Sequence, residues 1–424
     1  MAQGYDQPDL SEPGQPDLGQ PDLGMAELGQ PDLGHGSGAH ALRRLRSWKM
    51  SAKIAYRNLV HDRMSLAVTL TGIVFSVVLL SVQLGLYIGS ERMIAAMHDH
   101  SYADLWLVAT GTECFDDASL LEGHERFAAL PIKGIKSIEE LVVGYAMWRK
   151  PTGGTAAVLV VGSDQKAKTL VPWDIAEGNA ASLAAPSAVS IDQTYLSDLG
   201  IERVGDMAEI NGARVRVAAL SQGIRSFTTV PYVFTTLERA RSLTFAGQEQ
   251  ATYVLVNLEP RANVAKVKAA LAARFDGVEI LTHEEFRTRG LDFWLFETGA
   301  GSALITGAFL GLIVGLVIVA QTLYASTKDH LNEFATLRAL GASAGYIHRV
   351  ILIQAVLSAV LGYGLGLALS LCVVWASQFT SLFIIMTPEL AVTLFVLTVG
   401  MCIFAALGSI FKVTRIDPAG VFSR

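Results

Sequence analysis

The chain's apolar and polar positions fall into two regimes. Four stretches carry no charged residue at all: Met64 to Ser90, Gly299 to Tyr324, Val350 to Thr387 and Leu390 to Phe411. A helix crosses the roughly 30 Å of bilayer hydrocarbon in about 20 residues, so each stretch predicts a transmembrane helix. The third is long enough for a tilted span followed by an interfacial segment around Trp375 to Ile385. Between the first and second, over residues 91–298, apolar positions alternate over short distances between turn residues, the pattern of a folded, water-facing domain. Strands are predicted at Ala157 to Val161, Ala208 to Ile210, Arg214 to Ala218, Thr229 to Phe234 and Thr252 to Asn257, and helices at Ile191 to Leu199 and Ala262 to Arg274. The strand, helix, strand order from Thr252 to Leu281 predicts an α+β module, with a second β-rich piece over about residues 176–235.

Charge orients these elements. Arg43, Arg44, Arg46, Lys49, Lys53, Arg57 and Arg63 crowd the approach to the first span against one acid, Asp62, which places that end in the cytoplasm. Four spans then put both termini and the loop from Ala325 to Arg349 inside, and residues 91–298 outside. The first 42 residues hold seven acids and no Lys or Arg, so they account for the whole formal net charge of -6. They contain four pentads from Gly14 to Leu33, mostly Gly-Gln-Pro-Asp-Leu, whose proline and glycine forbid regular structure and whose single leucines bury too little to offset ordering. This predicts a disordered cytoplasmic tail, or an over-long start to the reading frame.

Candidate chemistry is thin. No Gly-Lys dipeptide occurs, hence no phosphate-cradling Walker A loop, and the chain is not expected to be its own ATPase. His98 with His100, and His283-Glu284-Glu285, lack the further ligands of a metal site and read as solvated polar residues. Cys114, Cys372 and Cys402 are scattered; the last two fall in apolar runs, and Cys114 is a lone thiol outside the cytoplasm. The spans hold no ionisable group for an ion or proton relay. They do hold small residues every fourth position, Gly307, Gly311 and Gly315 in the second and Ser358, Gly362, Gly366 and Ser370 in the third. Such stripes let helix backbones approach closely, either within the chain or at a seam between two copies.

The informative segment is cytoplasmic. Lys328 to Gly341 predicts a short amphipathic helix, with Asp329 and Glu333 early, Arg338 late and Gly341 as its cap, presenting Phe334, Leu337 and Leu340 to the membrane surface or to a partner's groove. The string Glu333-Phe334-Ala335-Thr336-Leu337-Arg338-Ala339-Leu340-Gly341-Ala342 resembles the cytoplasmic signature of the FtsX/MacB superfamily of ABC permeases. Ala55-Tyr56-Arg57-Asn58-Leu59 before the first span and Arg415-Ile416-Asp417-Pro418-Ala419 after the last resemble that family's flanking strings. Ala103-Asp104-Leu105-Trp106, and Phe293-Trp294 followed by Thr298-Gly299-Ala300-Gly301, are most similar to the DevC-type members.

The resemblance implies an α-helical membrane protein with four transmembrane helices and a MacB-like α+β periplasmic domain inserted between the first and second. The expected order is a repeat tail over 1–42, an amphipathic lead-in helix over 43–63, and a first transmembrane helix over 64–90. A periplasmic domain with stalk ends over 91–298, a second transmembrane helix over 299–324 and a coupling loop over 325–349 follow. The third span with its interfacial segment takes 350–387, the fourth 388–411 and the cytoplasmic C-terminus 412–424. It further implies an inner-membrane homodimer carrying a separate ABC ATPase on Asp329, Glu333, Phe334, Leu337, Arg338, Leu340 and Gly341. A periplasmic membrane-fusion adaptor and an outer-membrane channel would complete an export path. No cofactor of its own and no nucleic-acid partner are expected, since ATP would be bound by the partner subunit. A regulatory or lipoprotein-releasing protein, like FtsX or LolC, is the alternative.

Overall fold

The structure, a computed structural model, describes residues 52–166, 169–330, 340–378 and 383–414, with Glu333, Ala335, Thr336 and Thr380 between them. Helix α1 covers residues 52–61 and stops at Asp62, whose non-helical backbone lets its carboxylate accept from the Ser65 N–H at 3.1 Å. That cap starts α2 (Arg63–Asp99). With α8 (Ala300–Asp329), α9 (Ala344–Ser377) and α10 (Pro388–Thr414) it makes four helices long and apolar enough to cross a membrane.

All four outrun their charge-free stretches, α10 by taking in Glu389 at its start. At 1.5 Å per residue the 37 residues of α2 reach about 55 Å, well beyond ~30 Å of hydrocarbon, and carry Glu91, Arg92 and Asp99 past the end of the apolar run. Lys328 and Asp329 form the last turn of α8, not the start of a separate amphipathic helix, because nothing between Tyr324 and Asp329 breaks its hydrogen bonding. Helix α9 begins at Ala344 and so includes Arg349; it ends at Ser377, and residues 383–387 are non-helical, so only the front of the expected interfacial segment is helix.

Between α2 and α8 the chain forms one sheet of ten strands. These are β1 (Leu105–Ala109), β2 (Ile135–Arg149), β3 (Thr155–Ser163), β4 (Ile175–Gly178), β5 (Ala188–Asp192), β6 (Met207–Ile210), β7 (Ala213–Ser221), β8 (Tyr232–Thr236), β9 (Tyr253–Leu258) and β10 (Val278–Thr282). The shorter helices are α3 (Glu125–Ala129), α4 (Leu196–Leu199), α5 (Leu237–Thr244), α6 (Val264–Ala272) and α7 (His283–Asp292). The strand order is β10-β1-β9-β2-β3-β8-β5-β7-β4, with β6 pairing β2 and β7. The expected strand, helix, strand unit is β9-α6-β10, and β1 is inserted antiparallel between its two strands.

Period-two alternation decides which side chains each face receives. Trp106, Leu141, Val143, Tyr253 and Leu255 gather around Phe286 of α7 and Met97 of α2. Leu105, Leu107, Val254 and Val256 face the other way, onto Val267 and Leu271 of α6. The predicted helix from Ile191 to Leu199 is wrong at its start. Ile191 and Asp192 close β5, and Asp192 caps the following turn by accepting from the Thr194 N–H at 2.9 Å. Only Leu196–Leu199 is α-helical, and Gly200, at φ +66°, ends it.

Candidate functional site

On the side of the bundle where α8 ends, the described part of the expected coupling segment is short. Asp329 closes α8, and the exposed Glu333 carboxylate lies 3.2 Å from His330 Nδ1. The Leu340 N–H donates to the Thr336 carbonyl at 3.0 Å while its side chain is 80% exposed. Gly341 follows at φ +91°, a left-handed conformation that suits glycine and turns the chain toward α9. Phe334, Leu337 and Arg338 lie outside the described residues, as do the basic positions before Lys53 and the Arg415 to Ala419 string. Of the string before the first span, Ala55 and Leu59 are buried on α1 and Tyr56 is exposed.

The small-residue stripes of both helices face α2. A Cβ added at Gly311 would meet Leu79 at 2.9 Å, and one at Gly307 would meet Gln83 at 2.7 Å. Gly315 lies against Ser76, whose hydroxyl donates to the Gly311 carbonyl at 2.6 Å. From the other side, Gly362 packs on Ile73 and Gly366 on Val77, where an added Cβ would stand 2.8 Å from the valine Cβ. Glycine at each contact lets α8 and α9 approach α2 more closely than any side chain permits. Ser358 is buried in a small polar cleft with Asp62, Thr69, Ser326 and Gln354, at the junction of α1 and α2.

The opposite end of α2 is fixed inside the sheet domain. Ile94, Ala95, Met97 and His98 are buried there, and the His98 ring stands 4.8 Å from Phe286 and 5.3 Å from Trp106. His98 is therefore a core residue, while His100 is exposed and stacks on Trp173 at 3.8 Å. Arg287 of α7 donates to Asp99 at 2.8 Å and so ties the two helices side by side. Helix α7 passes through a π-helical turn, Phe293–Glu297, and a left-handed Gly299 into α8, so the sheet is held by two adjoining helices. His283-Glu284-Glu285 is helix-start chemistry: Thr282 and Glu285 form a capping box, and Lys268 bonds to Glu285. No group of three or more metal-ligating side chains occurs among the described residues.

Two features have no sequence pattern to announce them. Asp116 is buried and accepts from the Tyr232 hydroxyl at 2.8 Å; burial pushes its carboxyl above the usual range, and burial pushes the nearby Cys114 thiol up to about 11. Cys114 is a buried core thiol. Arg225, on the loop after β7, donates to the Gln378 and Thr380 carbonyls at 3.3 and 3.4 Å and lies 5.0 Å from the centre of the Phe383 ring. A lone arginine in Gly-Ile-Arg-Ser-Phe carries no periodicity, so nothing in the sequence marked it.

A long-helix bundle, a sheet domain held by two of its helices and glycine-mediated packing define a multi-pass membrane protein in architecture. Sequence comparison makes the class specific. A family model described as the MacB-like periplasmic core domain matches residues 66–274, and one described as the FtsX-like permease C-terminal region matches residues 305–418. An uncharacterized ABC transporter permease of Mycobacterium tuberculosis is 26% identical over 236 residues, which are 54% of this chain and 61% of that relative. Another, from Mycobacterium bovis, is 23% identical over 367 residues, 85% of this chain and 95% of its own length. Among solved structures, the periplasmic region of MacB from Actinobacillus actinomycetemcomitans aligns at 7% identity and TM-score 0.35, covering 46% of this chain and 96% of that one. The extracellular domain of the noncanonic ABC-type transporter YknZ from Gram-positive bacteria aligns at 12% identity and TM-score 0.31, covering 42% and 99%. The chain belongs to the FtsX/MacB superfamily of ABC transporter permeases.

Proposed function

We propose that this chain is the membrane subunit of an ATP-driven export system, passing motion from a separate ATPase to its own sheet domain without carrying cargo through the bilayer. The observation that carries this reading is α2. It is one unbroken helix, gripped by α8 and α9 through glycine contacts in the bundle and anchored by Met97 and His98 in the sheet core. Displacement at one end is therefore delivered to the other. The charge-free spans support the same reading, because a path for polar cargo calls for polar or ionisable lining.

In this reading the sheet domain is periplasmic, and both termini and the loop over 325–349 are cytoplasmic in a bacterial inner membrane. Two copies of the chain bind two ATPase subunits, seated on the segment carrying Glu333, Phe334, Leu337 and Arg338. A periplasmic adaptor and an outer-membrane channel complete the path, as the resemblance to DevC-type members suggests. Purification of the intact complex is expected to bring an ATPase chain with it. Leu337→Asp would put a charge into the buried contact at a cost of about 2–5 kcal/mol, more than tenfold in affinity. Binding of the ATPase and permease-stimulated ATP hydrolysis should fall together while the protein still inserts. Unchanged stimulated hydrolysis in both Leu337→Asp and Glu333→Arg, at normal expression, would refute the coupling role.

A further inference from the structure

We propose that Arg225 makes a second, releasable link between the sheet domain and the membrane bundle, so that the outer half of the sheet answers to α9 and α10 while the inner half answers to α2 and α8. The proposal rests on the force-transmission reading above and deepens it by assigning a positioning residue.

The loop bearing Arg225 is held from beneath, in part by groups that water does not reach. The Gln222 N–H donates to the Asp174 carbonyl at 2.9 Å. The Ile224 N–H donates to the Asp192 carboxylate at 2.8 Å, and the Ser226 N–H to the Tyr195 hydroxyl at 3.1 Å. Asp192 and Tyr195 are each 1% exposed, so both buried polar groups have partners in this loop and lose them if it moves alone. Thr229 closes the loop at φ +61°, unusual for a β-branched residue and held only where surrounding structure enforces it. Arg225 is thus presented on a stiff support.

Its target is the end of a helix. Gln378 is the C-cap of α9, where unpaired carbonyls carry the negative end of the helix dipole, and a planar guanidinium can bridge two such oxygens. Phe383 lies against the same guanidinium, and Phe227 of the loop meets Trp294 of the π-helical turn at 5.3 Å. Behind it, Phe383 to Ile385 rest on α2, with the Ile385 N–H donating to the Gly85 carbonyl at 3.2 Å and no room for a side chain at Gly85. The bonds from Arg225 to Gln378 and Thr380 are long, and the helix end they reach is polar. Such a contact re-forms readily after separation, unlike the apolar anchor of α2.

The sheet gives the two links different loads. Strand β2 crosses from one half to the other: Ile135 to Leu141 pair with β9, beside β1 and β10, whereas Val142 to Arg149 pair with β3, whose Leu159 and Val161 share the core around Met97 and Phe286. The Arg225 loop connects β7 and β8, both on the β3 side. Movement of α9 and α10 against α2 therefore reaches the sheet as a twist along β2.

The test uses the full chain in lipid nanodiscs with Cys372, the exposed native thiol, replaced by serine. Spin labels at Glu177→Cys and Glu389→Cys report the outer half against α10, and labels at Glu122→Cys and Glu389→Cys report the inner half. Arg225→Ala is expected to broaden the first distance distribution by about twofold or more and leave the second unchanged; Arg225→Lys, which keeps the charge without the fork, should fall between. In native membranes an Arg225→Cys, Gln378→Cys pair should be joined by a bismaleimide reagent long enough to stand in for the arginine side chain, whose length holds the two backbones beyond disulfide reach, and an Arg225→Cys, Glu389→Cys pair should not. With the ATPase bound, ATP and vanadate should shift the first distribution in the unsubstituted protein, and Arg225→Ala should abolish that shift alone. An unchanged width in Arg225→Ala, or failure of the Arg225 and Gln378 pair to cross-link, would overturn the link. A chain that binds no ATPase would overturn the force-transmission reading, and the nanodisc and cross-linking results would still decide the link.

Discussion

The two places where the sheet domain meets the membrane helices differ in chemistry. At the first, α2 ends and α7 begins among Trp106, Phe115 and Tyr253, and Met97, His98 and Phe286 are buried at the core. At the second, Arg225 reaches across to two carbonyls and an aromatic ring. Separating the first exposes a contiguous aromatic cluster to water; separating the second exchanges hydrogen bonds to carbonyls for hydrogen bonds to water. A joint that must never open is built from apolar area. One that opens and closes is built from polar groups whose net worth is small.

Substitutions that break one joint and spare the other sharpen this contrast. Phe286→Ala should have the largest effect, about 3–5 kcal/mol, because the ring is fully buried between α2 and β1 and its loss leaves a cavity. Thermal unfolding in detergent, followed by near-ultraviolet circular dichroism, measures it. Gly366→Ala comes next. Its Cβ would stand 2.8 Å from the Cβ and Cγ1 of Val77, so α9 must back away from α2 at a cost of about 1–3 kcal/mol, seen as earlier loss of bundle protection from proteolysis.

Arg225→Ala should cost about 1 kcal/mol in the same unfolding assay, as its bonds to Gln378 and Thr380, at 3.3 and 3.4 Å, are long. A loss as large as that of Phe286→Ala would erase the distinction between the joints. The smallest effect is expected at Asp116. Burial raises its folded-state pKa, so its contribution to stability is fully present below the ordinary carboxylate range and is lost as pH rises through the raised value. Asp116→Asn keeps an acceptor for the Tyr232 hydroxyl and should make the protein slightly more stable at neutral pH, with a flatter dependence on pH above that range.

The spans are legible in the sequence because lipid imposes one rule along a whole segment, about 20 apolar residues without charge. The glycine stripes are legible for a related reason, since four-residue spacing fixes a helix face; which neighbour that face meets required the fold. Strand β2 has no clear pattern in the sequence because its first half carries Lys136, Glu139 and Glu140 among its apolar positions Ile138, Leu141 and Val143, which themselves face opposite sides of the sheet. The helix expected over Ile191 to Leu199 instead opens with the end of a strand, where Asp192 caps the turn that follows. The Arg225 contact is an encounter between residues more than 150 positions apart, and no local pattern encodes it.

The position of β1 bears on how the protein is made. Its residues, Leu105 to Ala109, leave the ribosome early, yet both of its partners are late: β9 begins at Tyr253 and β10 ends at Thr282. During synthesis this strand, apolar on both faces, waits without neighbours while some 140 further residues emerge, a high contact order that slows closure and exposes a sticky intermediate. Strand β10 runs directly into α7 and from there into α8, so the residues that complete the sheet are translated just before the second membrane helix. Closure of the sheet domain and insertion of that helix are thereby neighbouring events in time, and a delay in either leaves the other half-finished.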